Sequence, residues 1–150
     1  MKEDRDTGIR QRRLAVLARA GRDQLEDALD RMDPAPRYDV VKPAETGLVM
    51  VRGRAGGTGA PFNMGEMTVT RCVVRSAQGA LGVGYVAGRD RRKAELVAVF
   101  DALLQDPAHA ARLESDVIAP AERRRAAARA EVLARAAATR VDFFTVVRGE

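Results

Sequence analysis

Histidine, cysteine and aromatic rings are scarce in this chain. Its 150 residues include one histidine, His109, one cysteine, Cys72, and no tryptophan, and aromatic residues make up 4%. A single thiol cannot staple a fold, and metal clusters built from Cys and His are excluded. No apolar run approaches the length that crosses a bilayer. Met1 to Arg5 is charged where a secretory signal would need an apolar core. The chain therefore reads as soluble and cytoplasmic, with no membrane partner and no metal.

What is present is alanine and charge. Hydrophobic residues are 46% of the sequence, but 27 of them are Ala, and Val, Leu, Ile and Phe together number 34. Alanine buries little area, so the core implied is modest and would gain from a partner surface. Lys and Arg total 26 against 21 Asp and Glu, a net charge of +5. That balance favours anionic partners: nucleotides, nucleic acid or acidic protein faces. A basic surface that is simply solvated accounts for it equally well.

The stretch from Glu45 to Arg75 organises the rest. Two runs rich in Val, Met and Thr flank a connection holding Gly53, Gly56, Gly57 and Gly59, which predicts two antiparallel strands around a shaped loop. Ahead of it, Thr7 is a candidate cap for a helix carrying Ile9, Leu14, Val16 and Leu17. Gly21 interrupts that helix before Leu25, Ala28, Leu29 and Met32, and Pro34 and Pro36 close the helical hairpin. Tyr38 to Lys42 is a short strand ended by Pro43. Gly47 to Arg54 is a second strand, apolar on both faces and so expected to be buried on both. Glu66 to Arg75 and the run through Leu81, Val83 and Tyr85 are the third and fourth. From Asp90 the period becomes helical, with Leu96, Val97, Phe100, Leu103 and Leu104 as the buried stripe. Pro107 breaks this helix, and Ala121 to Ala138 is a strong helix former. The expectation is an α+β fold of one domain, residues 1–150, with 1–6 a candidate disordered lead. Its antiparallel sheet of about four strands is covered by N-terminal and C-terminal helices.

Motifs for catalysis are thin. GRAGGTG lacks the Lys-Ser/Thr pair and the following helix that a phosphate loop requires. The better functional reading of Gly56, Gly57, Thr58 and Gly59 is a tight loop that another chain approaches closely. Cys72 sits mid-strand as a small core residue, and His109 has no acid or nucleophile placed beside it. The sharper anomaly is GRDRRKAEL. Arg89 precedes a helix whose first turn holds Arg91, Arg92 and Lys93, where each cation opposes the macrodipole by roughly some tenths of a kcal/mol. An anion or a partner's carboxylates would relieve that repulsion, and a solvated cluster offset by Asp90 and Glu95 is the bland alternative. Phe143 and Phe144 lie side by side in VDFFTVVRGE; if that run is extended they point to opposite faces, one of which needs a partner surface. The Ala/Arg helix Arg123 to Arg140 interleaves no aromatics and carries acids, which argues against nucleic acid.

The stretches ETGLVMVRGRAGGTGAPFNMGEMTVTR, GYVAGRDRRKAELVAVFDALLQ and VDFFTVVRGE, with RQRRLAVLARA near the start, resemble the G subunit of the bacterial carbon–phosphorus lyase system, the PhnG family. The resemblance implies an accessory subunit of a core complex with H, I and J subunits. With the H, I and L subunits it would support transfer of the ribose triphosphate of ATP onto methylphosphonate, releasing adenine and forming α-D-ribose 1-methylphosphonate 5-triphosphate. The I subunit is regarded as the nucleosidase, and the J subunit, an iron–sulfur radical enzyme, cleaves the carbon–phosphorus bond later. ATP would then be a substrate of the complex, with no cofactor bound by this subunit and no independent activity. No catalytic residue carries over, and Lys93 stands where relatives often have His. The alternative is a free-standing anion- or nucleotide-binding module built on residues 89–93.

Overall fold

The structure is a computed structural model describing residues 2–140. Its helices and strands follow in the order α1 (Lys2–Leu17), α2 (Arg22–Asp30), β1 (Tyr38–Arg54), β2 (Pro61–Ser76), β3 (Leu81–Ala87), α3 (Arg91–Leu104), α4 (Pro107–Leu113) and α5 (Ala119–Ala138). The expected α+β class and antiparallel sheet hold, with strand order β1-β2-β3. The sheet has three strands because the two segments expected on either side of Pro43 are one continuous strand of 17 residues. Proline was read as a stop, yet β1 lies at the sheet edge, where a missing N–H removes no ladder bond on the open side. Register shifts between Val40 and Lys42, and between Lys42 and Glu45, take up the extra residues as bulges. α1 begins at Lys2, so Thr7 lies inside the helix instead of capping it.

Alternation along the strands decides what the sheet offers to each side. Thr70, Cys72, Val74 and Ser76 of β2 turn to one face with Gly82, Gly84 and Val86 of β3, and all are buried. α3 lies directly on those glycines. A Cβ added at Gly84 would sit 1.8 Å from the carbonyl oxygen of Ala94, and one at Gly82 would sit 1.9 Å from that of Ala98. Ala94, Ala98 and Ala102, four residues apart, give α3 a flat flank that allows this approach. The expected stripe of Leu96, Val97, Phe100, Leu103 and Leu104 is fully assembled, and α1, α2 and α4 all contact α3. Leu17, Leu25, Leu113 and Ile118 close the core around Phe100.

One acid interrupts the apolar stripe. Asp101 is 2% exposed and holds three elements together. Arg10 of α1 donates from Nε to Oδ1 at 3.0 Å and from Nη2 to Oδ2 at 2.7 Å, while the Val83 N–H donates to Oδ2 at 2.9 Å. Leu81 O accepts from Arg10 Nη2 at 3.1 Å and from Gln105 Nε2 at 2.8 Å. Two backbone groups on the outer edge of β3, the Leu81 carbonyl and the Val83 N–H, are thereby satisfied by side chains, which blocks further pairing at that end of the strand. Pairing with Asp101 raises the Arg10 pKa against the opposing effect of burial.

Two stability predictions follow from these contacts. Gly84→Ala should cost about 3 kcal/mol or more, because backbone lies in the way instead of a movable side chain; a denaturant midpoint equal to wild type would contradict the contact. Arg10→Ala strands a buried carboxylate and should cost about 3 kcal/mol. Asp101→Ala, which leaves an Arg10 that can reach solvent, should cost less, and equal or reversed losses in the same urea titration would count against this reading.

Candidate functional site

Because Gly82 and Gly84 face inward, the large residues of β3 face outward. Leu81, Val83 and Tyr85 are exposed on the sheet face opposite α3, beside a half-buried Val73. β3 pairs with β2 only from Val69 to Arg75, so beyond it β1 and β2 continue as a two-stranded arm. No residue of β1 is buried, and burial in β2 begins at Val69. Burial on both sides of Gly47 to Arg54 was expected from its two apolar faces; the faces are there but bare. Leu48 is 61% exposed, Met50 53%, Met64 64% and Phe62 48%. On a lone chain in water such a surface has no stabilising role.

The glycine loop forms the tip of this arm. Gly56 and Gly57 take φ of 59° and 80°, conformations that other residues rarely adopt. Gly59 donates its N–H to Ala55 O at 3.0 Å, and Arg54 Nη1 donates to Gly59 O at 3.0 Å. Thr58 is exposed between them. The connection runs straight into β2 with no helix after it, so no helix amides are aimed at the tip.

The basic turn is more self-contained than its sequence suggests. Asp90 caps α3 by accepting from the Lys93 N–H at 2.9 Å. Arg92 donates from Nη1 to Glu95 at 3.1 Å and from Nε to Glu26 of α2 at 3.3 Å. Burial lowers the pKa of the Lys93 ammonium, partly offset by Asp90. Arg89 and Arg91 are exposed, with no side-chain partner among the described residues. Phe143 and Phe144 lie outside the described residues.

No catalytic set is assembled. Cys72 is 1% exposed and its thiol meets Lys42 O at 3.4 Å, while His109 lies 3.9 Å from Asp106. Burial pushes the Cys72 pKa up, away from a nucleophilic thiolate. Among the described residues no group of three His, Cys, Asp or Glu could hold a metal ion. The outward side of Leu81, Val83 and Tyr85 was missed from sequence. The signal was the pair of glycines between them, which marks the opposite face as a close packing surface.

Fold and surface define an α+β domain whose chemistry-bearing groups are scattered and whose apolar residues are left uncovered on one sheet face and one arm. The family described as "Phosphonate metabolism protein PhnG" matches residues 9–149. A relative from Rhizobium meliloti (strain 1021), the "Alpha-D-ribose 1-methylphosphonate 5-triphosphate synthase subunit PhnG", is 48% identical over 152 residues, covering 97% of this chain and 94% of its own length. The chain belongs to the PhnG family.

The buried thiol gives a simple check on the core. A maleimide should label Cys72 only after unfolding; stoichiometric labelling of the native chain would show that the packing of β2 on α3 is wrong.

Proposed function

We propose that this chain is the G subunit of an α-D-ribose 1-methylphosphonate 5-triphosphate synthase, working in the cytoplasm with H, I and J subunits of a carbon–phosphorus lyase complex. In that reaction a phosphonate oxygen bonds to C1 of the ribose of ATP as the bond to adenine breaks, and adenine leaves. The subunit's part is accessory. It presents surface, binds no cofactor, and contributes no activity alone.

One observation carries the reading: the apolar residues of the sheet face and the arm have no cover. Burying the exposed half of side chains such as Leu48, Met50, Phe62 and Met64 is worth about 1 kcal/mol each. Association costs roughly 4–15 kcal/mol before any surplus appears. The arm alone is thus barely sufficient, and the face of Leu81, Val83 and Tyr85 supplies the remainder. A free-standing anion module on residues 89–93 is less well supported, since Arg92 and the α3 cap are already engaged with Glu26, Glu95 and Asp90.

Co-expression with the other subunits tests this. Val83→Asp with Tyr85→Asp, both at exposed positions, should leave the circular dichroism spectrum unchanged and abolish co-purification. The wild-type chain alone should release no adenine from ATP, with or without methylphosphonate. A variant that co-purifies fully, or steady turnover by the lone chain, would overturn the proposal.

A further inference from the structure

A second concave surface lies behind the sheet. A cleft of about 740 Å³ opens between the end of α2, the proline-rich segment 33–37, the β2–β3 turn and the region from α4 to α5. That volume falls within the range of small-molecule sites. Its lining combines Met32, Leu113 and Val117 with Arg31, Arg37 and Arg112. A smaller hollow of about 100 Å³ shares Arg31 and Asp116 with it and continues the groove to Asp27 and Arg124.

The charges along this groove divide into two groups. Arg112 and Asp116 are an ion pair at 3.5 Å, and Asp116 also accepts from Ser115 Oγ at 2.7 Å. Asp116 and Ser115 sit at a π-helical turn, Glu114–Ile118, inserted between α4 and α5; such turns recur at functional sites. Arg31, Arg37 and Arg124 have no side-chain partner among the described residues, and neither do Asp27 and Asp33. Elsewhere a set of arginines is committed to architecture: Arg10, Arg12, Arg13, Arg71 and Arg92 are each tied to a carboxylate.

We propose that this groove binds a sugar carrying a polyphosphate chain, either a nucleoside triphosphate or a ribose triphosphate ester. Guanidiniums spaced along an elongated groove suit successive phosphates, which they hold by charge-assisted hydrogen bonds. Unpaired carboxylates suit sugar hydroxyls, which donate to them, and the apolar floor receives the ring. No Phe, Tyr or Trp lines the groove, and His109 is its one aromatic ring, so the phosphates and the sugar are the main groups recognised. The choice of ligand rests on the synthase reading above, because the relative's named product is a ribose triphosphate. The site itself rests on the groove.

The test is calorimetric titration of the full chain with ATP, GTP, inorganic tripolyphosphate and adenosine. ATP and GTP should bind within a few-fold of each other, tripolyphosphate more weakly, and adenosine not at all. Arg31→Glu with Arg37→Glu should weaken ATP roughly tenfold or more, while Arg52→Glu, an exposed position on the β1–β2 arm outside the groove, leaves it unchanged. Asp33→Asn should weaken ATP but not tripolyphosphate. No saturable binding of ATP by the wild-type chain, or binding that survives both charge reversals, overturns the assignment. A loss that is equal for ATP and tripolyphosphate in Asp33→Asn overturns the hydroxyl contact. Co-purification and adenine release by the complex report separately on the subunit reading, so the two can fail independently.

Discussion

The close contact between α3 and β3 decides most of the structure. With Gly82 and Gly84 beneath Ala94, Ala98 and Ala102, the helix comes nearer to the sheet than side chains would otherwise allow. The large residues of α3 must then pack elsewhere, and they do: Leu96, Phe100 and Leu103 meet the helices behind. Alternation imposes a second consequence. If the small residues of β3 are inward, Leu81, Val83 and Tyr85 are outward. A single packing choice thus yields both a dense core from an alanine-rich chain and an apolar sheet face facing solvent.

The two sheet edges are treated in opposite ways. On the β3 side, Asp101, Arg10 and Gln105 use up the Val83 N–H and the Leu81 carbonyl. On the β1 side, Pro43 and two register shifts fall in the first part of the strand and a third lies between Val51 and Arg52, and from Thr46 onward no strand but β2 pairs with β1. Leaving a long edge strand open while both of its faces are apolar is a hazard in isolation. The combination is coherent if another chain covers the arm, because edge, faces and glycine tip then enter one interface together.

Much of this was legible from local pattern, and the failures share a cause. The α3 stripe, the helical hairpin around Gly21 and the antiparallel hairpin are short-range signals, and each appears where its periodicity placed it. The fused β1 was not legible, because whether Pro43 ends a strand depends on which side of that strand is open. Burial of Leu48 and Met50 was misjudged because two apolar faces record a need for cover without saying which chain provides it. The groove was invisible, since Arg31, Arg37 and Arg124 come from three segments that only the tertiary fold brings together. Asp101 was legible in principle: a lone acid inside LVAVFDALL must be paired if it is buried.

The arginines carry the argument one step further. A net charge of +5 could have been a uniform solvated coat, but its distribution is uneven. Around α1 and α5, Arg12 joins Glu114 and Glu122, and Arg13 joins Glu114 and the Leu104 carbonyl. That network ties the start of α5 to the domain and holds the Glu122 carboxyl below its usual pKa. Exposed pairs of this kind contribute little individually, so their value is positional. They fix the base of a helix whose residues from Arg123 onward are all exposed. Among the described residues the arginines without a side-chain partner are spread more widely: Arg31, Arg37 and Arg124 along the groove, Arg89 and Arg91 at the start of α3, Arg52 and Arg75 on the sheet, and Arg123, Arg125 and Arg129 on α5. The arginines that bridge one element to another, Arg10, Arg12, Arg13, Arg71 and Arg92, are thus the architectural share of the charge, and those without a side-chain partner are free to meet solvent or a ligand.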